Sequence, residues 1–259
     1  MTTAVITGSA SGIGAATQAR FEQAGVSVMG IDIKDAEIVA DLSTREGRDA
    51  AIAGVKSRCN GLDRLVLCAG VATYARPLSL IPAVNYFGAI TLLDGLFDLL
   101  RRGTDPRAVV ILSNSARWLG DPDQASYVEA LLAGREAEAA RIIDGFGDDV
   151  LAAALAYIGS KLALGRALRR RAATWGSAGV RLNGVAPGNT NTPMLQKVMD
   201  DPSTRDGVLS MEIPLGRLAE CDDIANVVAF LCSPEASYVH GSIVYVDGGI
   251  DAHIRPDGF

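Results

Sequence analysis

Short runs of consecutive apolar residues recur near positions 3–7, 26–31, 64–68, 108–112, 180–185 and 242–246. Runs this brief and this continuous suit strands covered on both faces, as in a parallel sheet. Between them the apolar positions change to a spacing of three and four, which predicts helices over 14–24, 44–59, 78–101, 157–175 and 221–232. Pro82 is expected to break the first turn of the third. Strands that alternate with helices need parallel crossovers, so the pattern predicts an α/β fold with one doubly wound parallel sheet and helices on both faces.

Residues 114–156 fit the alternation least. Tyr127 to Phe146 reads as one amphipathic helix, flanked by turn signals at Gly120-Asp121-Pro122 and Gly145-Phe146-Gly147. Patterning gives this helical insertion, about 116–154, an apolar face without naming what covers it. A pocket cover, a subunit contact and packing over a loop stay open.

The 259 residues, 49% apolar and 21% charged, suffice for one large core, and no repeat or linker divides them, so a single catalytic domain over 1–259 is expected. A net charge of −6 gives no general attraction to nucleic acid or an anionic membrane and suits a small neutral substrate. The chain runs from Met1 directly into a strand pattern, without a basic leader, and no uninterrupted apolar stretch reaches membrane-spanning length. A soluble, cytoplasmic protein is the expectation. Cys59, Cys68, Cys221 and Cys232 lack metal-ligand spacing, and His240 and His253 are the only histidines, so no metal site is expected.

Chemistry enters at the first strand–helix junction. Val5-Ile6-Thr7-Gly8 leads into Ser9-Ala10-Ser11-Gly12-Ile13-Gly14, where glycines permit a tight turn and a helix N-terminus offers unpaired N–H groups to a diphosphate. Asp32 and Ile33 follow the second strand; the Asp32 carboxylate is placed to bind an adenosine ribose and to repel a 2′-phosphate, favouring NAD over NADP. Neighbouring Lys34 leaves room for a relaxed preference. Asp41 and Leu42 are candidates for contact with adenine, with a capping role the alternative for Asp41, and Cys68-Ala69-Gly70 is small enough to pass beneath a cofactor.

Tyr157 and Lys161 stand four apart, so a helix sets them on one face. A nearby ammonium stabilises a phenolate, which suits proton exchange with an alcohol or carbonyl oxygen, and the lysine can also bind the nicotinamide ribose. Ser113, ending the run Ala108 to Leu112, is the first choice to hold the reacting oxygen, with Ser115 the alternative. Asn85, an unfavourable residue inside a helix, is a candidate to hold a lysine-linked water or a neighbouring backbone group. Pro187-Gly188 opens a polar loop in which Thr190 or Thr192 can bond the cofactor, while Leu195, Met199 and Met211 can line an apolar substrate pocket.

Thr7-Gly8-x-x-x-Gly12-x-Gly14, Asn85, Ser113, Tyr157 with Lys161, Pro187-Gly188 and Asp247-Gly248-Gly249 together resemble the short-chain dehydrogenase/reductase family over essentially the whole chain. The resemblance implies a Rossmann-like fold, NAD, and a catalytic set in which Tyr157 exchanges the proton, Ser113 polarises the substrate oxygen, and Lys161 and Asn85 maintain cofactor contacts and a proton relay. Gly30-Ile31-Asp32, Val84-Asn85-Tyr86-Phe87-Gly88 and Ala236-Ser237-Tyr238-Val239-His240-Gly241 are similar to the bacterial hydroxysteroid dehydrogenase/carbonyl reductase branch of that family. That branch implies a bulky apolar alcohol or ketone as substrate, possible steroid chemistry, and a homodimer, with a tetramer as runner-up. Cys68, where the family commonly has asparagine, and Leu112-Ser113-Asn114, where it has paired serines, depart from the pattern. A nonsteroidal ketone, quinone or terpene alcohol is the alternative substrate, and an NAD-binding regulatory protein without turnover the alternative class.

Overall fold

A computed structural model describes residues 2–117, 122–147 and 149–258. The first half alternates as the apolar runs require: β1 (Thr3–Thr7), α1 (Gly12–Gln23), β2 (Ser27–Asp32), β3 (Ile38–Val39), α2 (Arg45–Lys56), β4 (Arg64–Leu67), then α3 (Leu80–Pro82) and α4 (Ala89–Arg101) joined by a π-helical turn over Ala83–Gly88. Next come β5 (Arg107–Ile111), α5 (Pro122–Leu132), α6 (Glu136–Asp144), α7 (Val150–Ser177) and β6 (Arg181–Pro187). The chain continues through α8 (Pro193–Asp200), α9 (Pro202–Leu209), α10 (Cys221–Leu231), β7 (Ile243–Val246) and α11 (Ile250–Ile254).

All described strands form one parallel sheet in the order β3-β2-β1-β4-β5-β6-β7. Chain direction across the sheet reverses between β1 and β4, which opens a crevice at their carboxyl ends. Thr7 closes its floor, its Oγ1 accepting from Cys68 N and Ala69 N, each at 3.1 Å. One face is packed by α2, α4 and α7 through residues such as Val55, Leu92, Leu96 and Leu168; the other by Phe21 of α1 and Ile224, Val228 and Leu231 of α10. Each such fully buried side chain contributes roughly 1.5–3 kcal/mol of transfer free energy.

Several elements differ from the sequence expectation. β3 is only Ile38–Val39, too short to leave a periodic signal. The expected helix over 127–146 is two, broken where Gly134 takes a left-handed φ of 72°. The Gly120-Asp121 part of its entry turn lies outside the described residues. α7 begins at Val150 rather than 157, with the Asp149 side chain accepting from Ala152 N at 2.7 Å; the run of alanines there carries no polar face to mark a period. α8 and α9 occupy what read as loop. Thr192 and Asp201 cap them, each followed by proline in the first turn.

Leu80–Arg101 and Val150–Ser177 are long and apolar enough to cross a membrane by length and composition, although charged residues such as Asp94, Asp98, Lys161 and Arg166 interrupt them. Both contribute buried residues to the large core cluster, so their apolarity answers to the sheet and to neighbouring helices.

Helices α5 and α6 pack onto the body. Tyr127 is fully buried and its hydroxyl donates to Ala156 O of α7 at 3.1 Å. Glu136 receives Arg48 of α2 through two hydrogen bonds of 3.1 and 2.6 Å. Tyr127→Phe keeps the ring and deletes the bond, so the urea midpoint should fall by the equivalent of about 0.5–1.5 kcal/mol with an unchanged m-value. An unaltered midpoint would show that this bond does not hold the helix pair down.

Candidate functional site

A cleft of ≈ 560 Å³ opens at the carboxyl ends of β1, β4, β5 and β6. Every residue expected to contact a cofactor lines it, and so do Ser113 and Ser115; Asn85 does not.

At the β1–α1 end, the glycines are required by contact. A Cβ on Gly14 would lie 2.0 Å from Gly8 O, and one on Gly8 would lie 2.9 Å from Ala69 N. Gly8 and Gly12 also have φ of 69° and 55°. Ser11 occupies the N-cap of α1 without a side-chain capping bond, and the first turn holds no acidic residue. The leading N–H groups of α1 therefore face the cleft with no side chain spent on them, the arrangement that takes a phosphate. Asp32 is fixed at the end of β2, its Oδ2 accepting from Ala10 N at 3.0 Å and its Oδ1 from Ile33 N at 2.7 Å. Beside it Ile33 is 62% exposed, an apolar shelf on the cleft wall. Asp41 lines the cleft while also capping: its Oδ1 accepts from Ser43 N at 2.9 Å and Ser43 Oγ at 2.6 Å.

At the other end, α7 turns Val150, Ala154, Tyr157, Ile158 and Lys161 toward the cleft. Lys161 is 5% exposed, and its Nζ donates to Ile111 O, the last residue of β5, at 2.9 Å. Burial lowers its pKa to about 8, opposed by the neighbouring Cys68. Burial pushes the Tyr157 phenol up, while a hydrogen bond with Ser113 works the other way and Tyr74 adds to the rise. Desolvation is the largest influence on both groups, and the Lys161 donor is directed at the Ile111 carbonyl. Ser113 and Tyr157 line the cleft together, and Ser115 bonds Ser113 through an Oγ···Oγ contact of 2.8 Å and an N–H donated at 3.3 Å.

Asn85 stands behind the wall. Its Nδ2 donates to Val71 O at 2.9 Å and its Oδ1 accepts from Val71 N at 2.8 Å, so the amide clamps both sides of a residue that lines the cleft. This is the backbone-bonding alternative for Asn85, and it sits in the π-helical turn. A Cβ on Gly70 would lie 3.1 Å from Asn85 Oδ1, a tight approach to the clamped amide. Cys68 lines the cleft as a neutral thiol, with burial raising its pKa to about 12.

On the far wall, a Cβ on Gly188 would lie 2.8 Å from Asp247 Cα, and Asp247 itself accepts from Gly249 N, Asp251 N and Asn114 Nδ2 at 3.0, 2.8 and 3.3 Å. Thr192 Oγ1 is used as the cap of α8, accepting from Leu195 N at 3.1 Å, and Thr190 Oγ1 donates to Gly188 O at 3.0 Å. Leu195 and Met211 line the cleft as expected, but Met199 does not; Met194 and Val198 do. Without the helix, its register was not readable. Asn189 was also missed: it lines the cleft, and its Nδ2 is buried without a hydrogen-bond partner. Among the described residues no cluster of three or more histidine, cysteine or acidic side chains could hold a metal ion.

A family model described as short chain dehydrogenase matches residues 2–130, and one described as enoyl-(acyl carrier protein) reductase matches residues 146–251. The chain is 49% identical to the 3-alpha-hydroxysteroid dehydrogenase/carbonyl reductase of Comamonas testosteroni over 260 aligned residues, covering 100% of each. It belongs to the short-chain dehydrogenase family. The crystal structure of the 3-alpha-hydroxysteroid dehydrogenase from Pseudomonas sp. B-0831, complexed with NADH, matches this dehydrogenase with a TM-score of 0.94 at 46% identity, covering 100% of both chains. A cis-4-hydroxycyclohexanecarboxylate dehydrogenase of Sinomonas cyclohexanicum is 28% identical over 96% of each protein.

The buried lysine gives a stability signature in this dehydrogenase. Its folded pKa, about 8, lies below the ordinary 10.5, so in that window the unfolded chain binds more protons and the lysine's contribution to stability rises with pH. Lys161→Met should therefore raise the unfolding midpoint at neutral pH, and its advantage over wild type should shrink as pH rises from about 8 toward 10.5. An advantage equal at both ends would show that the ammonium carries no burial cost.

Proposed function

We propose that this dehydrogenase uses NAD to interconvert a secondary alcohol and a ketone on a bulky apolar skeleton, a 3α-hydroxysteroid or related carbonyl compound being the first candidate. The observation that carries the reading is the placement of Ser113, Tyr157 and Lys161 in the same cleft as the uncapped N-terminus of α1. The relatives that are 49% and 46% identical are named for this substrate class, and one holds NADH.

The residues divide the work by position. Gly8, Gly12 and Gly14 bring backbone close to a diphosphate, and the N–H groups of α1 neutralise it. Asp32 takes the adenosine ribose and rejects a 2′-phosphate. NAD, when bound, supplies the hydride acceptor of the oxidation and, as NADH, the donor of the reverse reaction. Tyr157, kept protonated by burial, gives its proton to the substrate oxygen in reduction and takes one back in oxidation, while the Ser113 hydroxyl holds that oxygen in place. Lys161 supplies positive charge at the same wall, and Asn85 fixes the Val71 backbone beside it. Val150, Ala154, Leu195, Val198, Val208 and Met211 exclude water and match an apolar skeleton. A nonsteroidal apolar ketone would meet the same groups. The chain then works as one catalytic unit, in the cytoplasm where NAD is replenished.

We also propose a homodimer through the C-terminal end. Strand β7 closes that edge of the sheet with its residues only partly covered, and Phe230, Tyr238 and Ile254 are 47, 102 and 50% exposed. Mass measurement at micromolar concentration should give twice the chain mass; a stable monomer overturns the dimer, and four chains would favour the tetramer.

A panel of steroid and nonsteroid secondary alcohols, run with NAD and with NADP, tests the activity. NADH should form with bulky apolar members and little NADPH should form, and Tyr157→Phe should lower kcat at least about a hundredfold. Cofactor binding without turnover across the panel would favour a regulatory protein. Near-wild-type turnover by Tyr157→Phe would overturn the proton-transfer role.

A further inference from the structure

Two segments face each other across the outer end of the cleft. On one side, Ala72 and Thr73 line it and the chain then rises through Tyr74 to Arg76. On the other, Leu195 and Val198 of α8 line it, and Lys197 lies between them in sequence. Lys197 Nζ sits 5.1 Å from the centroid of the Tyr74 ring, so the two walls touch through a cation and an aromatic face. A second attraction crosses nearby: hydrogen bonds from Ser203 hold the Asp201 carboxyl below its ordinary range, and the charge of Arg76 adds to this.

These contacts matter because α8 and α9 have little else to hold them. Neither helix contains a fully buried residue, so the pair adds little to the core and its position against the cleft depends on surface contacts. Tyr74, in contrast, belongs to the fixed wall. It is half-buried, follows Ala72 and Thr73 that line the cleft, and precedes buried Ala75, whose N–H donates to Ala72 O at 3.1 Å.

We infer that Tyr74 and Lys197 form a clasp across the cleft mouth, through which the fixed wall holds α8–α9 closed over a bulky substrate. Tyr74 is then a positioning residue: it acts on substrate through the placement of Leu195, Val198 and Met211 and donates nothing to the reacting atoms. The pair sets retention of substrate rather than the chemical step. This inference rests on the reading of the cleft as the site of a bulky apolar alcohol.

An exposed cation–π contact alters an equilibrium by about two- to fivefold. Lys197→Met and Tyr74→Leu should each raise KM for the best bulky alcohol by about that factor, with kcat unchanged or higher. The double variant should be no worse than either single one. Tyr74→Phe, which keeps the ring, and Lys197→Arg, which keeps the charge, should stay near wild type. Additive losses in the double variant would overturn the clasp, as would a Tyr74→Phe loss equal to that of Tyr74→Leu. Hydrogen exchange of the ligand-free protein gives a readout independent of turnover. Amides of residues 193–211 should exchange faster in Lys197→Met and no faster again in the double variant. If wild type turned over no alcohol, the functional reading would fail while hydrogen exchange still decided the clasp; unchanged exchange in Lys197→Met would end it.

Discussion

The approach of α1 to the end of β1 is the constraint on which the site depends. Gly14 sits so close to the Gly8 carbonyl that no side chain fits between them, and Gly8 in turn passes close to the backbone of Ala69. This contact fixes the direction of α1, and with it the position of the uncapped N–H groups. Because β1 and β4 flank the reversal of strand order, the same approach also sets the floor of the cleft. Asp32, one strand over, is bonded to the backbone of Ala10 in the glycine turn, so the anion-attracting and phosphate-rejecting features are built as one unit.

The reactive end is held by a different means. Helix α7 crosses the large core as a long apolar element, and its polar residues Tyr157 and Lys161 emerge where β5 stops. Both are desolvated, which raises the phenol and lowers the ammonium. At this place the Ile111 carbonyl gives the ammonium a partner, and Ser113 lies beside the phenol in the cleft. Asn85 shows how far support extends: its amide, in a π-helical turn, is spent on Val71 rather than on the cleft. The amide thereby holds backbone that lines the cleft, with Ser160 Oγ a longer contact of its Nδ2 at 3.5 Å.

The two sides of the cleft differ in how firmly they are built. Strand ends and α7 are anchored in the core, whereas α8 and α9 rest on their caps and on contacts across the mouth. The helices between β5 and α7 belong to the firm side. Arg48 to Glu136 and Tyr127 to Ala156 tie them to α2 and α7, and among the described residues they put none of their own side chains into the cleft. Within one chain these helices pack against α2 and α7, and of the described residues in the expected insertion only Val150 and Ala154, in the first turns of α7, reach the cleft.

Much of the fold and site was legible along the chain because parallel strands leave continuous apolar runs and because glycine, at Gly8 and Gly14, is dictated by backbone contact that no other residue satisfies. The four-residue spacing of Tyr157 and Lys161 likewise fixes a shared helix face wherever the helix packs. What the sequence left open depended on distance between segments remote in the chain. The break at Gly134 lay inside a helical period that continues on both sides of it, and the start of α7 at Val150 lay in a run of alanines with no polar face to mark one. Met199 was expected in the pocket and Val198 stands there instead, since side-chain direction follows helix register, which a segment read as loop does not supply. The sequence by itself determined which groups the protein owns and which helix or strand end carries them. Only tertiary structure decided that Lys161 reaches the Ile111 carbonyl, that Asn85 turns to Val71, and that Lys197 reaches Tyr74, because each is a contact between segments whose approach is set by packing.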